Sequence, residues 1–273
     1  MEVAYLGPVG TYSLLVAEKR YGKKCRFVPL PTVLDVCSYV SGKDNRRGVI
    51  PIENSSGGAI YETVDILLAN KPRIYILEQL TLNVRLALLG RKGEKIRTLY
   101  SHFAPLEHCA PWVRRHLPRT ERKVVSSTAA AAELAAERRY SAALGSRKLA
   151  RLYDLDILVY PVEEETQNMT MFLNIAGKKT EIGTPKKTTL VVRLPNVPGS
   201  LCTFLDIFRR EHVNLSRILS QPIRGCPGEY AFLVDLDGGT QQSAVRRAMR
   251  AARKTCVELR TAGSYPMGPS YQS

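Results

Sequence analysis

The stretch that decides the fold is Gly48-Val-Ile-Pro-Ile-Glu-Asn-Ser-Ser-Gly-Gly58, where an apolar run stops at an acid, an amide, two hydroxyls and two glycines. Helical periodicity resumes just beyond it, with apolar residues at Ile60, Val64, Leu67 and Leu68. This pattern predicts a buried strand that enters a polar turn and then a helix. Such a junction leaves free backbone N–H groups at the helix start, in the crevice where open α/β sheets bind ligands.

Two other junctions in the same half of the chain have similar chemistry. Gly7–Ser13 follows the predicted strand Val3–Leu6, and Ser126–Ala130 opens an alanine-rich helix. Hydroxyls and helix N-terminal amides together favour carboxylates or phosphates. Any one of these junctions is most simply an ordinary helix cap. Three in one α/β region predict a polar cleft for a small anion.

The order of strand and helix signals predicts the architecture. Residues 1–175 alternate the two, which indicates a largely parallel sheet covered by helices. An extended pair at Ile74–Leu89 interrupts the alternation, and we interpret it as the crossover between two α/β lobes with a cleft between them. The predicted first domain is therefore a two-lobed α/β unit over residues 1–178.

The C-terminal part follows a different pattern. The charged stretch Gly177–Lys187 is predicted to be a linker. Residues 188–261 then read as β-α-β-β-α-β, the ferredoxin-like motif, with a hairpin loop at Gly225, Pro227 and Gly228. We therefore predict a second domain over residues 187–263 and a loose tail over residues 264–273.

Composition narrows the functional classes. At 273 residues with 44% hydrophobic and 24% charged side chains, the chain is typical of a globular protein of about two domains. Its net charge of +15 is scattered and has no nucleic-acid motif beside it, so a small anionic substrate is favoured over nucleic acid. No apolar run has membrane-spanning length, and no targeting segment is visible. We expect no membrane partner and a cytoplasmic location.

The metal-ligating residue types are dispersed. The six cysteines form no C-x-x-C pair, and the four histidines form no H-E-x-x-H motif. These spacings favour free thiols in a reducing compartment over disulfides or a zinc site. We expect no metal site.

A fourth polar segment, Glu163–Ile175, has an acidic start that leads into a strand, and Thr170 precedes that strand. With the three junctions, it resembles the prephenate dehydratase family. The family's GPxGTFS, PIENS, SHPQAL, STA and NxTRF motifs match Gly7–Ser13, Pro51–Ser55, Ser101–Leu106, Ser127–Ala129 and Asn168–Phe172. The C-terminal unit resembles the family's ACT regulatory domain, with Gly199–Cys202 in place of GALV and Leu219–Pro222 in place of ESRP. The resemblance covers residues 3 to 262.

The resemblance implies an activity, a fold and a set of site residues. The activity is decarboxylative dehydration of prephenate to phenylpyruvate without a cofactor, on two lobes similar to periplasmic binding proteins. A homodimer or homotetramer with phenylalanine as allosteric effector is also implied. Thr170 would assist departure of the hydroxyl, and Asn54 would orient the substrate. Substrate contacts would come from Thr11, Ser13, Glu53, Ser55, Ser127, Thr128, Ala129 and Phe172, and effector contacts from Gly199, Ser200, Leu201, Asn214 and Ser220. Alternatively, Glu53 is a structural, hydrogen-bonded carboxylate, and we favour this second role.

The chain departs from the family's motifs at several positions, including Phe103 in place of a proline, and four of them keep alternatives open. Ala104 replaces a glutamine, and Met171 replaces an arginine whose charge-assisted contact methionine cannot supply. These two favour, as an alternative, arogenate dehydration or non-aromatising prephenate decarboxylation. Leu219 and Gln221 replace a glutamate and an arginine of the regulatory motif. A non-catalytic amino-acid sensor is the alternative from another class.

Overall fold

Three sheets organise the chain in the computed structural model, which describes residues 1–22, 24–162, 168–223, 226 and 228–273. The described strands are β1 (Glu2–Leu6), β2 (Arg26–Leu30), β3 (Arg46–Asn54), β4 (Gly58–Ala59), β5 (Tyr75–Asn83), β6 (Ala87–Gly90), β7 (Thr98–Ser101), β8 (Glu121–Val124), β9 (Ser141–Gly145), β10 (Asp156–Val159), β11 (Met169–Ala176), β12 (Lys187–Arg193), β13 (Leu215–Pro222), β14 (Tyr230–Asp237), β15 (Glu258–Tyr265) and β16 (Met267–Gln272). The described helices are α1 (Tyr12–Tyr21), α2 (Val33–Val40), α3 (Tyr61–Ala69), α4 (Phe103–His108), α5 (Ala110–His116), α6 (Thr128–Glu137), α7 (Arg147–Leu152), α8 (Ser200–Arg210) and α9 (Ser243–Ala252).

The first two sheets form the two predicted lobes. Lobe 1 has the strand order β16-β5-β11-β3-β1-β2, with β4 paired to β3, and lobe 2 has the order β10-β6-β9-β7-β8. Besides β4, the antiparallel strand is β11 in lobe 1 and β6 in lobe 2. Each of these is the first strand after the chain crosses between the lobes. The two-lobed, largely parallel α/β prediction is confirmed.

Both faces of the lobe 1 sheet are covered, which explains its uninterrupted apolar strands. Val3 and Val49 lie in one core cluster with α1, whereas Ala4 and Ile50 lie in another with α2 and α3. Neighbouring residues on a strand point to opposite faces, so each strand contributes to both cores. This rule also decides which side chains at the end of β3 can reach the cleft.

The third sheet has the predicted ferredoxin-like topology, with strand order β13-β14-β12-β15. On one face, Leu190 and Val234 pack with Phe204 and Phe208 of α8 and with residues of α9. On the other face, Val191 and Leu233 belong to the same core cluster as the α2 and α3 side of lobe 1. The C-terminal unit therefore shares a hydrophobic core with lobe 1.

The prediction of a loose tail over residues 264–273 is wrong. β16 pairs in parallel with β5 at the edge of the lobe 1 sheet, and the Arg85 amide donates to Ser273 Oγ at 2.7 Å. The tail contains Gly268 and Pro269, which have weak strand propensity, so nothing local indicated a strand. Its order comes from the edge of β5, a partner distant in sequence.

Two predicted features lie outside the described residues. They are the acidic start of the Glu163–Ile175 segment, at residues 163–167, and the part of the hairpin loop at Gly225 and Pro227. Among the helices of the described ranges, none is both long and apolar enough to cross a membrane.

Candidate active site

A cavity of about 940 Å³ lies between the two lobes, and all three predicted junctions contribute to its walls. Lobe 1 supplies the loop before α1 and the end of β3, and lobe 2 supplies the starts of α4 and α6. The crossover strand β11 adds further residues between the lobes. The predicted site residues on the wall are Thr11, Ser13, Asn54, Ser127, Thr128, Thr170 and Phe172.

Asn54 and Thr170 form a hydrogen-bonded pair on this wall. They are register partners across β3 and β11, and Asn54 Nδ2 donates to Thr170 Oγ1 at 2.8 Å and to Asn168 Oδ1 at 2.9 Å. A hydroxyl that accepts one N–H still keeps its own proton to donate. Thr170 is only 9% exposed, so this proton is shielded from bulk water.

The turn after β3 serves a different purpose from the one predicted. We expected its amides, at a helix start, to bind the ligand, but β4 intervenes and α3 begins only at Tyr61. The amides of Ser56 and Gly57 donate to Asn54 Oδ1 at 2.9 and 2.8 Å. An asparagine commonly bonds to the backbone just beyond it in this way. These bonds fix Asn54 with its Nδ2 directed at Thr170.

Among the helix starts that line the cavity, those of α1 and α6 carry Ser and Thr residues. Thr11 precedes α1 and donates to the Leu6 carbonyl, whereas Ser127 caps α6 by accepting from the Ala130 amide at 3.0 Å. The first-turn amides of a helix have no partner within it and carry partial positive charge. Because Ser13 and Thr128 also line the cavity, one such N-terminus reaches it from each lobe.

Three predicted substrate contacts are not on the cavity wall. Ser55 Oγ accepts from the Met169 amide at 2.9 Å and ties the turn to β11. Ala129 is fully buried in the core of lobe 2. Glu53 adjoins Asn54 on the strand, so its side chain takes the opposite face, where its Oε2 lies 2.8 Å from Arg217 Nε of the C-terminal unit. The reading of Glu53 as a structural carboxylate fits this contact.

The two departures from the family's catalytic motifs differ in position. Ala104 lines the cavity, so the wall lacks the side-chain amide that the family's glutamine would place there. Met171 does not line it, and its Sδ lies 3.4 Å from Arg217 Nη2 and 3.5 Å from Gln79 Nε2. Position 171 therefore faces away from the cavity, and no arginine is among the described residues that line it. A sequence pattern could not reveal Arg217, because it comes from another domain.

Histidines also occur around the cavity. Burial lowers the pKa of His102, which lines the cavity, so its imidazole is neutral at pH 7. Ser56 Oγ lies 2.8 Å from His108 Nδ1, a contact between the lobes that no local signal predicted. Among the residues that the structure describes, no group of three or more His, Cys, Asp or Glu side chains could hold a metal ion.

The two lobes, the hydroxyl-lined cleft with its helix N-termini and the fused ferredoxin-like unit define a two-lobed α/β protein with an interlobe cavity. The chain belongs to the prephenate dehydratase family, because the family model described as Prephenate dehydratase matches residues 3–180. A bifunctional chorismate mutase/prephenate dehydratase of Aquifex aeolicus is 31% identical over 268 residues, which are 97% of this chain and 74% of that protein.

Two further comparisons are with a protein named for two substrates and with a structure that contains L-Phe. The arogenate dehydratase/prephenate dehydratase 2 of Arabidopsis thaliana is 32% identical over 98% of this chain and 73% of its own length. The crystal structure of the prephenate dehydratase of Arthrobacter aurescens in complex with L-Phe matches 97% of this chain and 90% of its own. It does so with a TM-score of 0.86 and 28% identity.

Proposed function

We propose that this chain catalyses the decarboxylative dehydration of prephenate to phenylpyruvate. The observation that carries the proposal is the 2.8 Å hydrogen bond from Asn54 Nδ2 to Thr170 Oγ1 on the wall of the interlobe cavity. It fixes a hydroxyl whose proton is free to be donated, in a cleft that favours anions. Membership of the prephenate dehydratase family supports this assignment.

The reaction needs one proton donor and anion-binding groups. The ring carboxylate of prephenate leaves as carbon dioxide, and its electron pair enters the ring as aromaticity forms. The ring hydroxyl departs as water once it takes up a proton, which comes ultimately from solvent. Thr170 hydrogen-bonds to this departing oxygen, and such assistance typically contributes about 10²–10⁴-fold.

Anion binding falls to the helix N-termini of the two lobes. We assign Thr11 and Ser13 to one carboxylate and Ser127 and Thr128 to the other. Charge-oriented amides in a shielded cleft stabilise anions more than water does, because they need no reorganisation. Phe172, which is almost fully buried beside Thr170, supplies an apolar surface for the ring.

Arogenate dehydration is the second candidate, and Ala104 is the observation that favours it. Ala104 lies on the cavity wall, and the side-chain amide of the family's glutamine is absent there. The groups available to the substrate's side chain therefore differ from those of the family. Arogenate differs from prephenate by an amino group in place of the keto oxygen. Loss of carbon dioxide without aromatisation is the remaining alternative, and only product analysis distinguishes it.

Incubation of the purified chain with prephenate tests the proposal. We expect phenylpyruvate, detected by its absorbance in alkali and by mass spectrometry, since Thr170 and both helix N-termini are in place. A parallel incubation with arogenate should yield phenylalanine more slowly. Phenylalanine formed faster from arogenate would favour the second candidate. A folded chain without turnover of either substrate would contradict both.

We propose further that the ferredoxin-like unit is an ACT domain that binds phenylalanine. Gly199 precedes α8 with a φ of 83°, and Ser200 and Leu201 form its first turn. Ser220 is exposed on β13, whereas Asn214 Nδ2 donates to Asp237 Oδ2 at 2.6 Å just before that strand.

β13 is an edge strand of the third sheet, so two copies of the chain can pair through their β13 strands. We therefore favour a homodimer, or a tetramer built from two.

The altered regulatory residues face away from Ser220. Leu219 packs against the core shared with lobe 1, and Gln221 lines a second cavity of about 530 Å³ between that lobe and the C-terminal unit. Neither replacement removes Ser220 or Gly199 from the surface. Feedback by phenylalanine therefore remains part of the proposal, as does the cytoplasmic location.

Calorimetry with phenylalanine, combined with light scattering, tests the regulatory proposal. We expect saturable binding by an oligomer, and lower prephenate turnover at saturation. A monomer of about 30 kDa would contradict the edge-to-edge assembly. Binding of phenylalanine without any prephenate turnover would favour the non-catalytic sensor.

A further inference from the structure

Arg217 lies on β13 of the C-terminal unit and contacts β3 and β11 on the face opposite the cavity. Its Nε lies 2.8 Å from Glu53 Oε2 at the end of β3, and its Nη2 lies 3.4 Å from Met171 Sδ on β11. Its Nη1 lies 3.3 Å from Oδ2 of Asp235 on the neighbouring strand β14. The Arg217 side chain is only 8% exposed. All three guanidinium nitrogens therefore have partners in a shielded interface.

Asp235 fixes the guanidinium in place. This carboxylate is fully buried, and its Oδ1 accepts from Thr189 Oγ1 at 2.6 Å. Its Oδ2 makes no hydrogen bond of good geometry within the described residues, and its charge contacts are Arg217 and, at 3.9 Å, Lys187 Nζ. A buried carboxylate is tolerated only when such cations compensate it. Arg217 is thus held rigidly on the side of the C-terminal unit.

The strand register connects this contact to the site. Glu53 and Met171 are partners across β3 and β11, directly next to the partners Asn54 and Thr170. The register shifts between Met171 and Phe172, so the backbone ladder is irregular just where the site lies. Arg217 bridges one residue of each strand on the face opposite the cavity. It therefore adds a side-chain link between β3 and β11 beside the register shift.

We propose that Arg217 is a positioning residue, which clamps Glu53 and Met171 and thereby holds Asn54 and Thr170 in hydrogen-bonding register. Position 171 has no guanidinium of its own, and Arg217 of the C-terminal unit supplies one on the face of β11 opposite the cavity. This inference rests on the proposed function for its effect on rate. Its effect on local order is independent of any activity.

Glu53→Gln tests the clamp with little risk to folding. Glutamine keeps the size of the side chain, and Arg217 stays in place to compensate the buried Asp235. We expect kcat for prephenate to fall about tenfold with KM changed less than about threefold, because orientation rather than binding is lost. Glu211→Gln is the matched control. Its carboxylate lies 2.7 Å from Arg247 and is 27% exposed, against 31% for Glu53. We expect it to leave both constants unchanged.

Hydrogen exchange supplies a readout that needs no turnover. The amides of Ser55, Ser56 and Gly57 bond to the Met169 carbonyl and to Asn54 Oδ1. In Glu53→Gln they should exchange about tenfold faster, as local opening becomes easier, and in Glu211→Gln at the parental rate. Parental kcat in a folded Glu53→Gln variant overturns the proposal. If the parent itself does not turn over prephenate, the proposed function fails, and parental exchange in Glu53→Gln then overturns the clamp.

Discussion

Thr170→Ala should lower kcat for prephenate by about 100-fold or more, since it removes the only hydroxyl that Asn54 orients within the described part of the cavity. KM should change little, because the helix N-termini that hold the carboxylates are untouched. Initial rates of phenylpyruvate formation, measured across a range of prephenate concentrations, give both constants. The alanine removes no charge, so the protein should fold as the parent does.

Thr170→Ser is the control for this substitution. Serine keeps the hydroxyl that accepts from Asn54 Nδ2 and loses only the methyl group, so we expect kcat within about tenfold of the parent. An alanine variant that folds and turns over at nearly the parental rate would exclude Thr170 from proton donation. Equal losses in alanine and serine variants would point to packing of the methyl group instead.

Asn54→Asp should lower kcat/KM for prephenate by about 100-fold or more, because it combines two losses. The carboxylate cannot donate to Thr170 or Asn168, so kcat falls. Its negative charge lies on the wall of a cleft that must accept a dianion, so KM rises. The turn should survive, because a carboxylate oxygen still accepts from the amides of Ser56 and Gly57.

Asn45→Asp is the matched control, since it makes the same chemical change at an exposed position of lobe 1. We expect its kcat and KM to equal those of the parent. Raising the salt concentration should lower the KM of Asn54→Asp more than that of the parent, because ions screen the added repulsion. A parental KM in Asn54→Asp would show that no substrate carboxylate binds near this residue.

Local patterns were sufficient to predict most of the elements and the residue types on the cavity wall. The apolar run before Glu53 predicted β3, the hydroxyls at Thr11 and Ser127 predicted polar contacts for an anion, and the resemblance to the family implied that Thr170 assists departure of the hydroxyl. The prediction of β3 is confirmed because strand periodicity depends on residues close together in the sequence, whereas contact with an anion stays a prediction. The structure places all three hydroxyl residues on one cavity.

Other features could not be read from any local pattern. Because side chains alternate along a strand, Asn54 and Glu53 must point to opposite faces of the sheet. Which of these faces lines the cleft depends on the packing of the two lobes. The tail looked loose because its partner, β5, is distant in sequence. A family motif does not specify the face on which each residue lies, so it could not show that Met171 faces away from the cavity.

The sequence by itself determined the family, the two-lobed α/β order and the residue types of the cleft, because these depend on local periodicity and short motifs. Only the tertiary structure decided that Glu53 and Met171 face the C-terminal unit and that Arg217 holds them. Burial of Asp235 and the sharing of one core by two domains require contacts between segments far apart in the chain. Such contacts leave no periodic signal in either segment.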